Sequence, residues 1–374
     1  MPEFIPLAKP HLSEEEKSAM LRVMESGWWT TGPEVQKFEK EMEDYLGAGV
    51  HALALNSCTS ALFLALKAQG IGPGDKVLVP TWTFAATAMV VEWCGAEPVL
   101  VDVQAENLNV SLEHFEKAWD PSVKAVIPVH VAGIPVDLNP ILNWCEQKDV
   151  FCLEDAAHAI GSKYGDRLIG SHSHAVAFSF YVTKNLACGE GGMLVSTNEE
   201  WLEKVRKISY FGIDKSAHQR YQKKGSWFYE IESLGFKCNL DNLHASIARV
   251  QLAKLEEMNS RRAQVCSTYD KNLPGELLFP ASKAGSSHHL YMIRLPDSVQ
   301  RDDFCEGIRQ LGVGSSVHFR PLHRHEHYKG DFPASRFPEA ESIADKVVSL
   351  PLYPDLSHDE VMQVVKAVRK VLGK

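Results

Sequence analysis

The chain has 374 residues, 45% hydrophobic and 23% charged, an ordinary globular composition with enough length for a buried core divided between two domains. Its formal charge of −9 argues against a general nucleic-acid or membrane-surface binder, since either favours a positive field, so an anionic substrate must be met locally. The eight cysteines form no C-x-x-C pair and read as free thiols of a cytoplasmic protein; the acidic amino terminus and the absence of a 20-residue apolar run point away from export and from membrane spanning.

Ser13 with Glu16 three residues later is a capping box that opens a first helix ending at Gly27, and a second helix is predicted over 34–46. Short apolar runs then alternate with helical segments: HALALN at 51–56, KVLVP at 76–80, PVLVD at 98–102, AVIPVH at 125–130 and FCLED at 151–155. AVAFSF at 175–180 and GMLVS at 192–196 extend the series to seven. The pattern predicts an α/β fold, a mostly parallel seven-stranded sheet flanked by helices. A polar and aromatic stretch over 214–232 reads as a mobile loop, and a long helix from about Asp241 to Leu273 as the link between domains. Beyond it, HHLYMIRL, a helix near 302–311, the strand-like SSVHF and a last helix capped by Ser357 and Glu360 predict a smaller α/β domain. The expected division is 1–250 for the large domain and 251–374 for the small one.

Within FSFYVTKNLACGEGGM, Lys184 follows a strand apolar on both faces and precedes Gly189, Gly191 and Gly192. Most lysines are solvated surface groups, but this strand-end place beside a glycine cluster suits close approach of the backbone to a ligand. A primary amine with a lowered pKa is what an enzyme needs to hold an aldehyde as a Schiff base and later move a proton. An electron-sink cofactor bound in this way also needs a carboxylate against its ring nitrogen, and Asp155 at the end of FCLED is the candidate, with a helix-capping aspartate as the equal alternative. A phosphate needs backbone N–H groups and hydroxyls at a helix start, which Asn56–Ser60 offers through Thr59 and Ser60, though read alone it is a capped helix. Ser179 adds a hydroxyl, and Phe84 either stacks on a ring or fills the core. Glu154, Asp155 and His158, or the histidines at 318, 323, 325 and 327, do not have metal-site spacing, so no metal is expected.

Together these residues resemble the DegT/StrS family of fold-type-I, pyridoxal-phosphate-dependent sugar aminotransferases over essentially the whole chain. The motifs that carry the likeness are SGWWTTGP, NSCTSAL, PTWTFAATA, VHVAGIPVDL, EDAAHAIGS, FSFYVTKN with GEGG, GFKCNLDNLHASI and VHFRPLH. The resemblance implies that Lys184 carries pyridoxal 5′-phosphate as a Schiff base, Asp155 holds its ring nitrogen, His158 approaches its ring hydroxyl, and Thr59, Ser60 and Ser179 bind its phosphate. It also implies that Asn239 reaches the cofactor of a neighbouring subunit, making a homodimer with shared sites. GEGG is similar to the members that aminate C4 of a UDP- or dTDP-linked keto-sugar, with glutamate as donor and 2-oxoglutarate as product; EDAAHA and SLPLYPDLS are similar to those that make UDP-4-amino-4-deoxy-L-arabinose. His318 and Arg320 are the expected contacts to the nucleotide, with Lys223 and Lys224 as lesser candidates. A C3-specific aminotransferase and a catalytically silent sugar-nucleotide sensor are the competing readings.

Overall fold

The computed structural model describes residues 4–172, 174–213, 227–279 and 284–374. Lys223, Lys224 and most of the expected loop therefore lie outside the described residues. The capping box forms as expected: Ser13 and Glu16 cap the helix Glu14–Ser26, which stops at Gly27 in the left-handed conformation. A second helix, Pro33–Leu46, packs beside it on a later helix, Asn242–Ala253.

Seven strands make the main sheet: β1 (His51–Leu55), β2 (Lys76–Pro80), β3 (Glu97–Val101), β4 (Val123–Val126), β5 (Phe151–Asp155), β8 (Ala175–Ser179) and β9 (Gly192–Ser196), in the order β1-β9-β8-β5-β4-β2-β3. A two-residue hairpin, β6 (Lys163–Tyr164) and β7 (Arg167–Leu168), stands apart from it. Within the seven-stranded sheet all pairings are parallel except those of β9, which runs against both β1 and β8. The strands read as apolar runs because both faces are covered. Successive side chains alternate between two cores: Leu53, Val77, Leu153, Ala177 and Leu194 enter one, while Ala52, Leu78, Cys152, Phe178 and Met193 enter the other. β4 is shorter than the apolar run AVIPVH because Pro128 has no N–H to give the ladder; Val129 rejoins β5 only as a single bridge to Asp155.

A third core gathers Tyr269, Tyr291, Phe304, Ile308 and Val364 around a pair of antiparallel strands, β10 (Tyr291–Arg294) and β11 (Val347–Leu350), with the helices Arg301–Gln310 and His358–Val371. Two expectations need correction here. The long helix over 241–273 is two helices, Asn242–Ala253 and Leu255–Asn272, separated at Lys254, whose amine bonds to Ser13 and Glu16 of the first helix cap. SSVHF is not a strand: only Ser316 bridges, to Ser349 of β11, and the chain then turns so that His318 and Phe319 reach a cavity at the carboxyl ends of the main-sheet strands.

No helix among the described residues is long and apolar enough to cross a membrane.

Candidate active site

A cavity of about 560 Å³ opens where β1, β2, β5 and β8 end, the place where open parallel sheets bind ligands. Thr59, Phe84, Asp155, His158, Ser179, Lys184 and His318 all line it. Residues from five separate stretches of sequence thus share one chamber.

Lys184 sits in the turn after β8, its N–H bonded to the carbonyl of Tyr181 at 2.8 Å. The returning segment closes against this turn, Phe180 N–H reaching Gly191 O at 2.9 Å and Cys188 N–H reaching Phe180 O at 3.0 Å. Burial is the main influence on the amine and lowers its pKa from 10.5 to about 8, with the carboxylate of Asp155 opposing the shift. A solvated surface lysine would not behave in this way. At pH 7 about one such amine in ten is neutral, against fewer than one in a thousand for an ordinary lysine.

Asp155 is buried at the end of β5 and accepts a hydrogen bond from the Thr87 hydroxyl at 2.8 Å and another from Ala157 N–H at 3.1 Å. Burial pushes its pKa above the ordinary carboxylate value, so a fixed N–H or cationic partner within the cavity would stabilise its charged form. No helix follows Asp155, so it is not a helix cap; its carboxylate closes the turn through Ala157 and faces the cavity. Thr87, fixed in turn by Thr83 at 2.8 Å, was not singled out in the sequence; its only sequence signal is the i, i+4 spacing of two threonines after PTW.

His158 is also buried, and burial holds its pKa well below the usual histidine value. Its Nδ1 accepts from Ala132 N–H at 3.3 Å, which places the ring proton on Nε2 and makes it a hydrogen-bond donor. Phe84 is 63% exposed and forms a wall of the chamber opposite Phe319, at 6.1 Å between ring centroids, so the core-phenylalanine alternative does not hold.

The helix Cys58–Ala68 begins at the rim, with Ser57 as its N-cap accepting from Ser60 N–H at 3.0 Å. The N–H groups of its first turn are among those a helix leaves without internal partners, and Ser57, Cys58 and Thr59 line the cavity. Ser60 does not: its hydroxyl is engaged by Asn56 at 2.7 Å and Ser57 at 3.0 Å. Gly192 explains how closely β9 approaches this helix start. A Cβ there would lie 2.3 Å from the backbone of both Ser57 and Cys58. Gly192→Ala is therefore expected to lower stability by about 2 kcal/mol or more, visible as a fall in Tm together with weaker cofactor binding.

His318 enters the cavity with Nδ1 2.9 Å from Ser349 Oγ and its pKa pushed down to about 4 by burial. Arg320 is exposed, donates to the carbonyl of Arg324 at 2.8 Å and does not line the cavity. His323 is tied to Thr81 and Glu341, His325 to Arg320 O and His327 to Glu92, so these histidines face different neighbours. Asn239 forms a backbone bridge to Leu55, its amide donates to Thr31, and it does not line the cavity of its own chain.

The donor set fits pyridoxal phosphate group by group. A lysine of lowered pKa could take its aldehyde, a buried carboxylate its ring nitrogen, an Nε2–H its ring hydroxyl oxygen, and a helix start with hydroxyls its phosphate. The comparisons with known proteins agree. The profile of the DegT/DnrJ/EryC1/StrS aminotransferase family matches residues 10–369. The chain is 42% identical over 380 residues to the spore coat polysaccharide biosynthesis protein SpsC of Bacillus subtilis, covering 99% of this chain and 97% of SpsC. Spr1654 of Streptococcus pneumoniae, a sugar aminotransferase by description and solved in PMP and PLP forms, superposes in its PMP form with a TM-score of 0.91 at 30% identity, over 98% of both chains. Helicobacter pylori PseC, an aminotransferase involved in the biosynthesis of pseudoaminic acid, superposes with a TM-score of 0.91 at 26% identity, over 99% of this chain and 100% of PseC. On its fold, its site and these likenesses, the chain belongs to the DegT/DnrJ/EryC1/StrS aminotransferase family and is a pyridoxal-phosphate-dependent sugar aminotransferase.

Proposed function

We propose that this enzyme moves the amino group of glutamate to the C4 keto group of a UDP- or dTDP-linked sugar in two half-reactions, in the cytoplasm, for a surface glycan. The observation that carries the reading is Lys184, an amine of lowered pKa in one chamber with Asp155, His158 and Thr59. GEGG supports C4 over C3, and the roles of SpsC and PseC in polysaccharide and pseudoaminic acid biosynthesis support a glycan product. EDAAHA and SLPLYPDLS favour the UDP-4-amino-4-deoxy-L-arabinose type within that class.

When bound, pyridoxal phosphate would supply an electron sink that acidifies the carbon–hydrogen bond of the amino donor and would carry its nitrogen to the keto carbon of the acceptor. The chain's own residues do the rest. Asp155, held by Thr87 and Ala157, keeps a negative charge at the ring-nitrogen position, while His158 donates its Nε2–H at the ring-hydroxyl position. Thr59, Ser179 and the helix start at Cys58 hold the phosphate, while Ser60, whose N–H and hydroxyl bond Ser57 and Asn56, fixes the N-cap. Lys184 Nζ is the covalent anchor and, when free, takes a proton from the donor substrate's carbon and returns one to the acceptor's. Phe84 and Phe319 wall the chamber and exclude water. His318 in the cavity and the exposed Arg320, which follows the cavity-lining Phe319 in sequence, serve the nucleotide.

In this reading Asn239 completes the site of a second copy. Trp227 at 85% exposed, Ile231 at 67% and Leu234 at 82% form an apolar stretch just before it, the kind of surface that a protein interface covers. Mixing two inactive variants, Lys184→Ala and Asn239→Ala, after dissociation and reassociation is expected to restore about a quarter of wild-type activity, because half the dimers then carry one intact site of two. No recovery on mixing, with reassociation verified by light scattering, would remove Asn239 from the partner's site. Substrate identity is tested by supplying glutamate with UDP- and dTDP-linked 4-keto and 3-keto sugars and following 2-oxoglutarate. Turnover confined to 3-keto sugars would move the reading to C3, and turnover with none to the sensor.

A further inference from the structure

Lys184 is followed by Asn185, whose buried side chain is held from three directions. Its Nδ2 donates to Ser287 O at 2.7 Å and to Oδ1 of Asn259, on the helix Leu255–Asn272, at 2.8 Å. A backbone carbonyl can only accept, so the amide orientation follows and Oδ1 is the atom that remains. That oxygen lies 2.9 Å from Nδ1 of His289, so Nδ1 carries the ring proton and donates. Gly161, at φ +81°, permits this support: a Cβ there would lie 2.4 Å from the Asn259 amide nitrogen.

His289 is buried and lines the cavity. Burial, then His158 and Lys184, hold its pKa well below the usual range, so the ring is neutral and Nε2 keeps a lone pair. Nε2 has no hydrogen-bond partner among the described residues. His158, with its ring centroid 4.3 Å away, is fixed in the opposite tautomer by Ala132. Two neighbouring neutral imidazoles therefore offer the chamber one donor and one acceptor, and only the donor has a role in holding the cofactor. An acceptor on the wall of such a chamber is matched by a ligand that brings it an N–H or O–H. An amino donor's carboxylates have neither and its one N–H-bearing group is the nitrogen given up to the cofactor, whereas a sugar carries several hydroxyls.

We infer that His289 determines specificity in the sugar half-reaction by accepting a hydrogen bond from a sugar hydroxyl at Nε2, in a tautomer imposed through Asn259 and Asn185. The inference rests on the sugar reading given above. Its test uses the cofactor-loaded enzyme in two ways. In protein labelled with ¹⁵N-histidine, His289 is expected as a neutral Nδ1–H tautomer at pH 7; an Nε2–H or charged ring overturns the inference whatever the substrate.

In single-turnover kinetics, His289→Phe is expected to leave the glutamate half-reaction within about twofold of wild type. The half-reaction with UDP- or dTDP-4-keto-6-deoxyglucose should slow by about 10-fold to 100-fold in kcat/KM, and His289→Gln, which keeps an acceptor oxygen, should recover part of it. Equal losses in both half-reactions for both variants would show a merely structural role and overturn the inference. A wild-type enzyme that completes the glutamate half-reaction but aminates no keto-sugar would overturn the function proposed above and the hydroxyl assignment with it, leaving the tautomer result standing.

Discussion

Replacing Lys184 with alanine is expected to remove the visible absorbance that bound pyridoxal phosphate gives the wild-type protein and to cut turnover by on the order of 10⁴-fold or more. In the wild type, glutamate should bleach that absorbance, because the amino group is then on the cofactor. The size of the effect follows from the two duties proposed for Lys184, anchoring and proton movement, which no neighbour can assume: His158 and His318 are held neutral by burial with pKa values below the usual range, and Asp155 is committed to Thr87 and Ala157. A visible band equally present in the variant would displace Lys184 as the anchor.

The same residue sets a pH dependence. Its folded-state pKa of about 8 lies below the unfolded value of 10.5, so between these limits the unfolded chain holds a proton that the folded chain has released. Stability of the cofactor-free protein arising from this group therefore rises with pH from about 8 to 10.5 and is least below pH 8. Thermal unfolding of wild type against Lys184→Met over that range measures it; the variant's curve should lack this rise.

Replacing Asp155 with asparagine is expected to reduce kcat by about 10²-fold to 10³-fold, the loss typical of removing one electrostatic contact that a reacting system depends on. The fold should not suffer in proportion. Burial already penalises the charge of Asp155 in the empty protein, so asparagine, which can still accept from Ala157, should leave the Tm of the cofactor-free protein unchanged or slightly raised. That divergence separates the role proposed here from simple closure of the turn. If activity and Tm fell together, Asp155 would only close the turn and the ring-nitrogen contact would need another carboxylate.

Much of this site was legible in the amino-acid order because its chemistry demands unusual residues in unusual places. Lys184 stands out because it ends an all-apolar strand, Asp155 because a carboxylate closes another, and Thr59 because hydroxyls cluster at a helix start. Thr87, Asn185, Asn259 and His289 were not legible, since each is unremarkable beside its sequence neighbours and acquires meaning from a partner 68, 74 or 104 positions away. Phe84 was ambiguous for the same reason, as an aromatic at the start of a helix suits a core as well as a cavity wall until burial is measured.

The fold divides in the same way. Composition, the seven apolar runs and the capping boxes at Ser13 and Ser357 determined the α/β class, the number of strands in the main sheet and the ends of the first and last helices, because burial on both faces and unsatisfied helix donors act over a few residues. Strand order, the reversal of β9, the interruption at Lys254 and the turn of His318 and Phe319 into the chamber were decided only by tertiary structure. Each depends on contacts between segments far apart in the chain, whose geometry no local pattern of apolar residues encodes.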